Sequence, residues 1–281
     1  MIKPSLILLN YNNYKFLPSC LKSVQVHRQK YKEIFLLDDQ STDATLLEIS
    51  KIVIGYLPDA VIVQNSTNQG VKQSLLKHLK KNSFEWVQIL STDDVLLDAS
   101  GVTINSKNSK FDLILADGVY LDASGNHVRK YMNYRSPQKF QLATSEKFLL
   151  YHNPVIAPGL IFHKQNALES LEQTDVNFED WPLVRNTHLK GGKFINLTSV
   201  KIGYRMHNNS QSSATSRHRN LLNKQIELFL EESSLKTSSY YNKMFIYLQL
   251  KSLKKKSRIL KSLKILDFNF LFWKLRKALF Y

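Results

Sequence analysis

The first hundred residues repeat one rhythm four times: a short apolar run, a polar break, then apolar residues at helical spacing. The runs are Ser5-Leu6-Ile7-Leu8-Leu9, Glu33-Ile34-Phe35-Leu36-Leu37, Val61-Ile62-Val63 and Trp86-Val87-Gln88-Ile89-Leu90. None alternates apolar with polar, so each predicts a strand covered on both faces, the pattern of a parallel sheet. Helical spacing over residues 16–26, 43–56 and 71–81 supplies the crossovers. Strands alternating with helices predict a parallel α/β sheet with right-handed connections. In such a sheet ligands gather beyond the carboxyl ends of the strands. The polar breaks lie there: Asn10, Asn12 and Asn13 after the first run, Asp38-Asp39-Gln40-Ser41 after the second, residues 65–70 after the third, Ser91-Thr92-Asp93-Asp94 after the fourth.

Beyond Ser100 the pattern loosens. Residues 111–119 and 127–134, joined by Asp122-Ala123-Ser124-Gly125, predict an antiparallel pair. Residues 154–163 form another apolar segment. Residues 177–190 predict a helix opened by acidic residues and stopped at Gly191-Gly192, and residues 194–204 a last strand. From Asn220 onward the texture is helical and basic.

With 281 residues the chain can hold one large α/β domain and an appendage, or two small domains. Nine glycines and seven prolines exclude a fibrous or disordered chain. Its one cysteine, Cys20, allows no internal disulfide, fits a reducing compartment and reads as a small core residue. The N-terminus enters a strand at once, without the features of a signal peptide. No run approaches about 18 uncharged apolar residues, so no membrane-spanning helix is expected.

The net charge is +16, and from Asn220 to the end 13 Lys/Arg face 4 Asp/Glu. Lys254-Lys255-Lys256 are consecutive, and Phe270, Phe272, Trp273, Leu275 and Phe280 follow. Basic and aromatic residues at helical spacing over residues 250–281 suit a helix lying on an anionic membrane. They equally suit an appendage packed on the α/β domain or on a second copy in a homodimer. No nucleic-acid motif accompanies the charge, so no nucleic-acid partner is expected.

Three acidic pairs could carry chemistry. Asp38-Asp39 could accept hydrogen bonds from a base or from ribose hydroxyls, or Ser41 or Asp43 could simply cap a helix. Asp93-Asp94 suits a hard divalent cation that bridges phosphates; the plainer alternative is a cap before Val95-Leu96-Leu97. Glu179-Asp180 either complements a helix dipole or supplies a base for an acceptor hydroxyl. Arg205 could pair with a phosphate or with a surface acid.

These strings together resemble a known family. Residues 4–12, Leu36-Leu37-Asp38-Asp39-Gln40-Ser41-Thr42-Asp43-Ala44-Thr45, Asn68-Gln69-Gly70 and Thr92-Asp93-Asp94 are similar in order and spacing to the family 2 inverting glycosyltransferases of the GT-A fold. Glu179-Asp180 resembles the later acidic motif of that family. Tyr204-Arg205-Met206-His207, with Ser210 and Ser212, resembles the segment that closes its catalytic domain.

The resemblance implies a Rossmann-like, mostly parallel central sheet flanked by helices. It implies a catalytic domain over residues 1–215, with a nucleotide-binding half (1–100) and an acceptor half (101–215), and a basic amphipathic helical extension over 216–281. Asn10, Tyr11, Asn12, Asp38, Asp39, Asn68, Gly70 and Asp93 would bind the nucleotide, Tyr11 stacking near the base, Asp39 contacting it and Asp38 supporting the loop. Asp94, Asp93 and His207 would hold Mn²⁺ or Mg²⁺, and Asp180 would be the general base. The implied reaction is transfer of a hexosyl or hexosaminyl unit from a nucleoside-diphosphate sugar, UDP first among them, to a glycan or lipid-linked glycan. The setting would be bacterial surface polysaccharide synthesis, in the cytoplasm or on the inner face of its membrane.

In one respect the chain departs from the pattern. Ser91 stands where many members carry a third carboxylate, which keeps a non-catalytic, scaffold-like relative as the alternative. A nucleotidyltransferase is disfavoured, because the loop Asn10-Tyr11-Asn12-Asn13-Tyr14 has no glycine to wrap a triphosphate.

Overall fold

Unbroken apolar runs are best satisfied as interior strands, and three of the four lie there in the computed structural model; the third is the edge strand of the sheet, with Val61 48% exposed. Residues 1–130, 144–145, 149–150, 153, 155, 157–208, 216–238, 242–243, 246 and 250 are described. β1 (Ser5–Asn10), β2 (Ile34–Asp38), β3 (Val61–Gln64) and β4 (Trp86–Ser91) pair in parallel in the order β3-β2-β1-β4. The crossovers are α1 (Leu17–Val26), α2 (Leu46–Tyr56) and α3 (Val71–Lys81). The register pairs Asn10 with Asp38, Leu9 with Ser91, and Asp38 with Gln64. The four carboxyl ends therefore finish nearly level, on one rim.

Helix α2 starts later than the periodicity suggests. Thr45 and Glu48 form a capping box, so residues 43–45 stay outside the helix. That leaves Ser41 and Asp43 available to the rim instead of as caps.

The second half completes the sheet with β5 (Val95–Asp98), β6 (Leu113–Leu121), β7 (His127–Lys130), β8 (Ile161–His163) and β9 (Phe194–Arg205). The order is β3-β2-β1-β4-β8-β6-β9-β5, with β7 on β6. Strands β8, β5 and β7 run against their neighbours, whereas β6 and β9 are parallel to each other. Antiparallel β8 between β4 and β6 keeps β6 in the direction of the first four strands, so the sheet is mostly parallel, as expected. The helices of this half are α4 (Lys164–Glu172), α5 (Asp180–Leu189) and α6 (Ser216–Lys236).

Two details differ from the sequence reading. Residues 95–98 form a strand, not a capped helix, because β9 offers a free edge on which Val95 pairs with Gly203. Of the apolar segment 154–163, the described residues form a three-residue strand, Ile161–His163. It is preceded by Gly159 at φ +87°, where a Cβ would lie 2.5 Å from Ile202 and 2.7 Å from Ala116. The turn after β6 is as expected: Asp122 Oδ1 accepts from the amides of Ser124 and Asn126, and Gly125 is at φ +93°. Residues 131–134 of the predicted partner strand lie outside the described residues, as does 251–281 of the basic tail.

Alternate strand residues face opposite sides, and two apolar layers result. Leu6, Leu8, Leu36 and Leu90 pack with α1 and α2 on one face; Ile7, Leu37, Val87 and Ile89 pack with α3 and α5 on the other. A third cluster joins α5 to α6: the rings of Trp181 and Phe229 have centroids 4.9 Å apart. Among the described residues no helix is long and apolar enough to cross a membrane.

Candidate functional site

The rim is organised by one buried side chain, Asn10, at the end of the central strand. Its amide Nδ2 donates to Asp38 Oδ1 at 2.7 Å and to Ser41 Oγ at 3.1 Å, and its Oδ1 accepts from Thr92 Oγ1 at 2.6 Å. The ends of β1, β2 and β4 are thereby tied together. Asp38, fully buried, accepts from Asn10, from Ser41 Oγ and N, and from Gln64 Nε2. Four donors saturate its carboxylate, which makes it a support for the loop. Asn12, at φ +54°, donates its amide to Ser41 Oγ and accepts the Thr42 amide on Oδ1. The Tyr14 amide donates to Asp43 Oδ2. The loops after β1 and β2 are zipped together, and Tyr11 stays 43% exposed, with its ring available at the surface.

Asp39 organises the third loop. Its Oδ1 accepts from Asn65 Nδ2, the Gln69 amide and Ser74 Oγ, each at 2.9 Å. Among the described residues its Oδ2 accepts the Gly70 amide alone, at 2.7 Å, and keeps capacity for one more donor. Gly70 opens α3 at φ +80°, ψ 155°, a backbone region open only to glycine, and this aims its amide at Asp39. Asn68 Oδ1 accepts the same amide at 3.2 Å and is otherwise exposed.

After β4 the two carboxylates diverge from ordinary pairing. Asp94 is 1% exposed; its Oδ1 accepts the Arg205 amide at 2.7 Å, while its buried Oδ2 accepts nothing from the described residues. Asp93 Oδ2 lies 3.0 Å from His207 Nε2, and its buried Oδ1 likewise accepts nothing. Burial, and then the neighbouring Asp93 charge, push the Asp94 pKa well above the usual carboxylate value. Buried carboxylate oxygens without donors are costly, and a cation is the usual remedy.

Among the described residues Arg205 pairs with no carboxylate. Its Nε donates to Asp93 O at 2.8 Å, Nη1 to Ala123 O and Nη2 to Ser19 Oγ, and its guanidinium lies 5.1 Å from the Phe16 ring centroid. It thus locks the Asp93-Asp94 turn to α1 and to the β6–β7 turn. His207 is held by Asp93 and by the Phe16 ring, with centroids 4.5 Å apart.

The fit to a divalent ion is of one kind. Among the described residues no group of three His, Cys, Asp or Glu side chains gathers around one point. The two donor-less oxygens of Asp93 and Asp94 instead suit an ion completed by phosphate oxygens and water, as Mg²⁺ and Mn²⁺ accept.

Glu179 and Asp180 open α5. Pro182 sits in its first turn, where a missing N–H costs nothing. Asp180 accepts the Trp181 amide on Oδ1 and Asn153 Nδ2 on Oδ2, both at 2.7 Å. As a residue Asp180 is half-buried, and burial of its carboxyl raises its pKa. Burial, then the Asp180 charge, push Glu179 up to about 8. Asn177, three residues earlier, sits where its Cβ would meet a side chain at Gly70, at 3.9 Å. Asn177, which leads into the acidic pair, therefore lies beside the loop that Asp39 holds.

Sequence reasoning missed Asn153, Lys72 and Arg185. Arg185 is fully buried, donating to Phe229 O, Ser233 Oγ and Glu232 Oε1, its guanidinium 3.6 Å from the Phe229 ring centroid. Burial pulls its pKa down to about 10, against the charge of Glu232. A basic residue on an otherwise apolar helical face was the available signal.

Comparisons with known proteins agree with this arrangement. Residues 5–100 match the sequence model of the family described as glycosyl transferase family 2. A PGL/p-HBAD biosynthesis glycosyltransferase of Mycobacterium bovis (strain BCG / Pasteur 1173P2) is 32% identical over 95 residues, 34% of this chain and 37% of that protein. Its counterpart in Mycobacterium tuberculosis (strain ATCC 25177 / H37Ra) matches to the same extent. The match thus spans little more than a third of those relatives.

Among solved structures, S. aureus TarS 1-349 in complex with UDP-GlcNAc superposes with a TM-score of 0.55 at 17% identity, covering 90% of this chain and 71% of that one. The mannosyltransferase PcManGT from Pyrobaculum calidifontis, in complex with GDP-Man and Mn²⁺, gives 0.54 at 15% identity, covering 98% and 82%. At such identities the superpositions speak for the fold alone. Residues 5–100 thus match glycosyl transferase family 2, and the chain folds as the GT-A glycosyltransferases do.

Proposed function

We propose that this chain is an inverting glycosyltransferase that takes a hexosyl or hexosaminyl unit from a nucleoside-diphosphate sugar, with UDP as the leaving group. The acceptor is a hydroxyl of a glycan or lipid-linked glycan in surface polysaccharide or glycolipid assembly. The observation that carries this reading is the pair of buried, donor-less oxygens, Asp93 Oδ1 and Asp94 Oδ2, on the rim that Asn10 ties to the Asp39 loop. The naming of the mycobacterial relatives supports the glycolipid setting.

Asp94, Asp93 and, beside them, His207 would hold Mn²⁺ or Mg²⁺, which when bound neutralises the charge of the departing diphosphate. Asp39 Oδ2 accepts a ring N–H of the base, and exposed Tyr11 covers its face. Asp180, oriented by Asn153 and the Trp181 amide, accepts the proton of the acceptor hydroxyl. The acceptor oxygen bonds to the anomeric carbon as the bond from that carbon to the diphosphate oxygen breaks on the opposite face, so configuration inverts. The basic segment 250–281 is proposed to bring the chain to an anionic membrane surface that presents the acceptor.

The two nucleotide-sugar neighbours carry different bases, UDP-GlcNAc and GDP-Man. A thermal-shift screen of UDP, GDP, CDP, ADP and TDP, with Mn²⁺ or with chelator, is therefore the direct test. At a hundredfold excess over Kd, UDP with Mn²⁺ should raise Tm by roughly 5–10 °C, and chelator should remove the shift. The reading fails if no nucleoside diphosphate gives a metal-dependent shift.

A further inference from the structure

The segment that leads into Asp180, residues 173–179, is neither helix nor strand, so its path is set from outside. Two supports come from α6. The Asn177 amide donates to Gln225 Oε1 at 2.9 Å, and Thr174 Oγ1 donates to Glu232 Oε2 at 2.8 Å. The other carboxylate oxygen of Glu232 accepts from Arg185 Nη2 at 3.0 Å, five residues beyond Asp180 on α5. A third support comes from α3, where buried Lys72 donates its Nζ to Thr174 O. Phe178 closes the arrangement, its ring centroid 5.4 Å from that of Phe229 on α6.

Helix α6 therefore grips the Asp180 segment on both sides of the carboxylate: at Thr174 and Asn177 before it, and at Arg185 after it. Asn177 also lies beside Gly70, its side chain 3.9 Å from where a Cβ would stand there. Two buried cations, Lys72 and Arg185, converge on this grip, and Glu232 supplies charge to both. A packing helix needs only its apolar face. Two polar side chains spent on the backbone amide and hydroxyl of one irregular segment point to a requirement for position.

We propose that Gln225 and Glu232 are positioning residues of this enzyme: through them α6, which lies beyond the matched residues 5–100, sets the Asp180 carboxylate against the donor loop at Gly70. This rests on Asp180 being the base. Neither residue touches substrate; both act through the segment.

The test compares Gln225→Ala with Gln225→Glu in the full chain. Gln225 is half-buried and makes one neutral contact to this segment, so its loss leaves folding intact. Gln225→Ala should lower kcat for transfer roughly tenfold, since small displacements of a catalytic group are that costly. The KM for donor and the nucleotide thermal shift should stay within about twofold. The acid limb of the kcat profile should move to lower pH, as a released Asp180 gains water. Gln225→Glu keeps an acceptor oxygen for the Asn177 amide and should restore kcat. Glu232→Gln should act in the same direction but leaves Arg185 and Lys72 short of charge; if it fails to fold, the Gln225 pair decides.

Wild-type kcat and an unmoved acid limb in Gln225→Ala would overturn the proposal. So would a parallel loss of donor binding and turnover, which marks a merely structural contact. Asp180→Asn separates the two levels: if it is inactive while Gln225→Ala is unaffected, only the positioning role falls. If Asp180→Asn turns over normally, the assignment of the base falls and this inference with it.

Discussion

Asp180→Asn is expected to lower sugar transfer by about a hundred- to ten-thousand-fold, the range for removing a general base. The substitution keeps the volume of the side chain, and its single amide oxygen can still accept the Trp181 amide, which Asp180 takes on Oδ1, while the bond from Asn153 to Oδ2 is lost. The Mn²⁺-dependent shift with UDP should therefore persist, and the defect should appear in kcat. Transfer assays over pH supply a second readout. Asp180 must be ionised to take a proton, and burial raises its pKa, so the acid limb should lie above the ordinary aspartate value of 3.8.

The same shift bears on stability with a definite sign. Glu179 and Asp180 hold protons more tightly folded than unfolded, so their contribution is full below the unfolded values, 4.5 and 3.8. It is lost as pH rises, for Glu179 through about 8. Without ligand, Tm should fall between pH 5 and 8. A Tm that rises through this window would contradict the buried acidic pair.

Asp94→Asn should abolish the stabilisation by UDP with Mn²⁺ and lower turnover about a hundred- to thousand-fold, as for loss of a preorganised electrostatic contact in the transition state. The reason is the location of the charge. Asp94 is buried beside Asp93, and one of its oxygens has no donor among the described residues, so its ionised form is costly in the folded apoprotein. The Asn variant removes that charge while its Oδ1 can still accept the Arg205 amide. Without metal it should be at least as heat-stable as wild type near pH 7, and with metal and UDP clearly less so. Thermal shift under both conditions decides. A variant that loses stability without metal, yet still responds to UDP and Mn²⁺, would assign Asp94 to structure instead of ligand binding.

The four parallel strands were legible because each is apolar on both faces, and that pattern admits few other placements. Helix α3 follows its periodicity to the residue, over Val71–Lys81. Helix α2 does not, since its start is decided by the capping box of Thr45 and Glu48 and not by the apolar stripe. Strand β5 could not be read locally: Val95-Leu96-Leu97 serves helix or strand equally, and only the edge of β9 makes the choice. The site was legible as types of residue at strand ends. It was not legible as hydrogen-bond traffic. Asp38 and Asp39 are adjacent and alike in sequence, yet Asp38 is saturated inside the rim and Asp39 holds the third loop with capacity to spare.

By itself the sequence determined a parallel core with its polar clusters at one rim, because solvent exposure of such apolar runs is too costly to permit another arrangement. Tertiary structure alone decided which carboxylate oxygens lack donors, that Arg205 serves backbone carbonyls instead of an acid, and that a distant helix grips the Asp180 segment. Those outcomes depend on which groups long-range packing brings within about 3 Å of each other, and hydrogen bonds are made or lost over that distance.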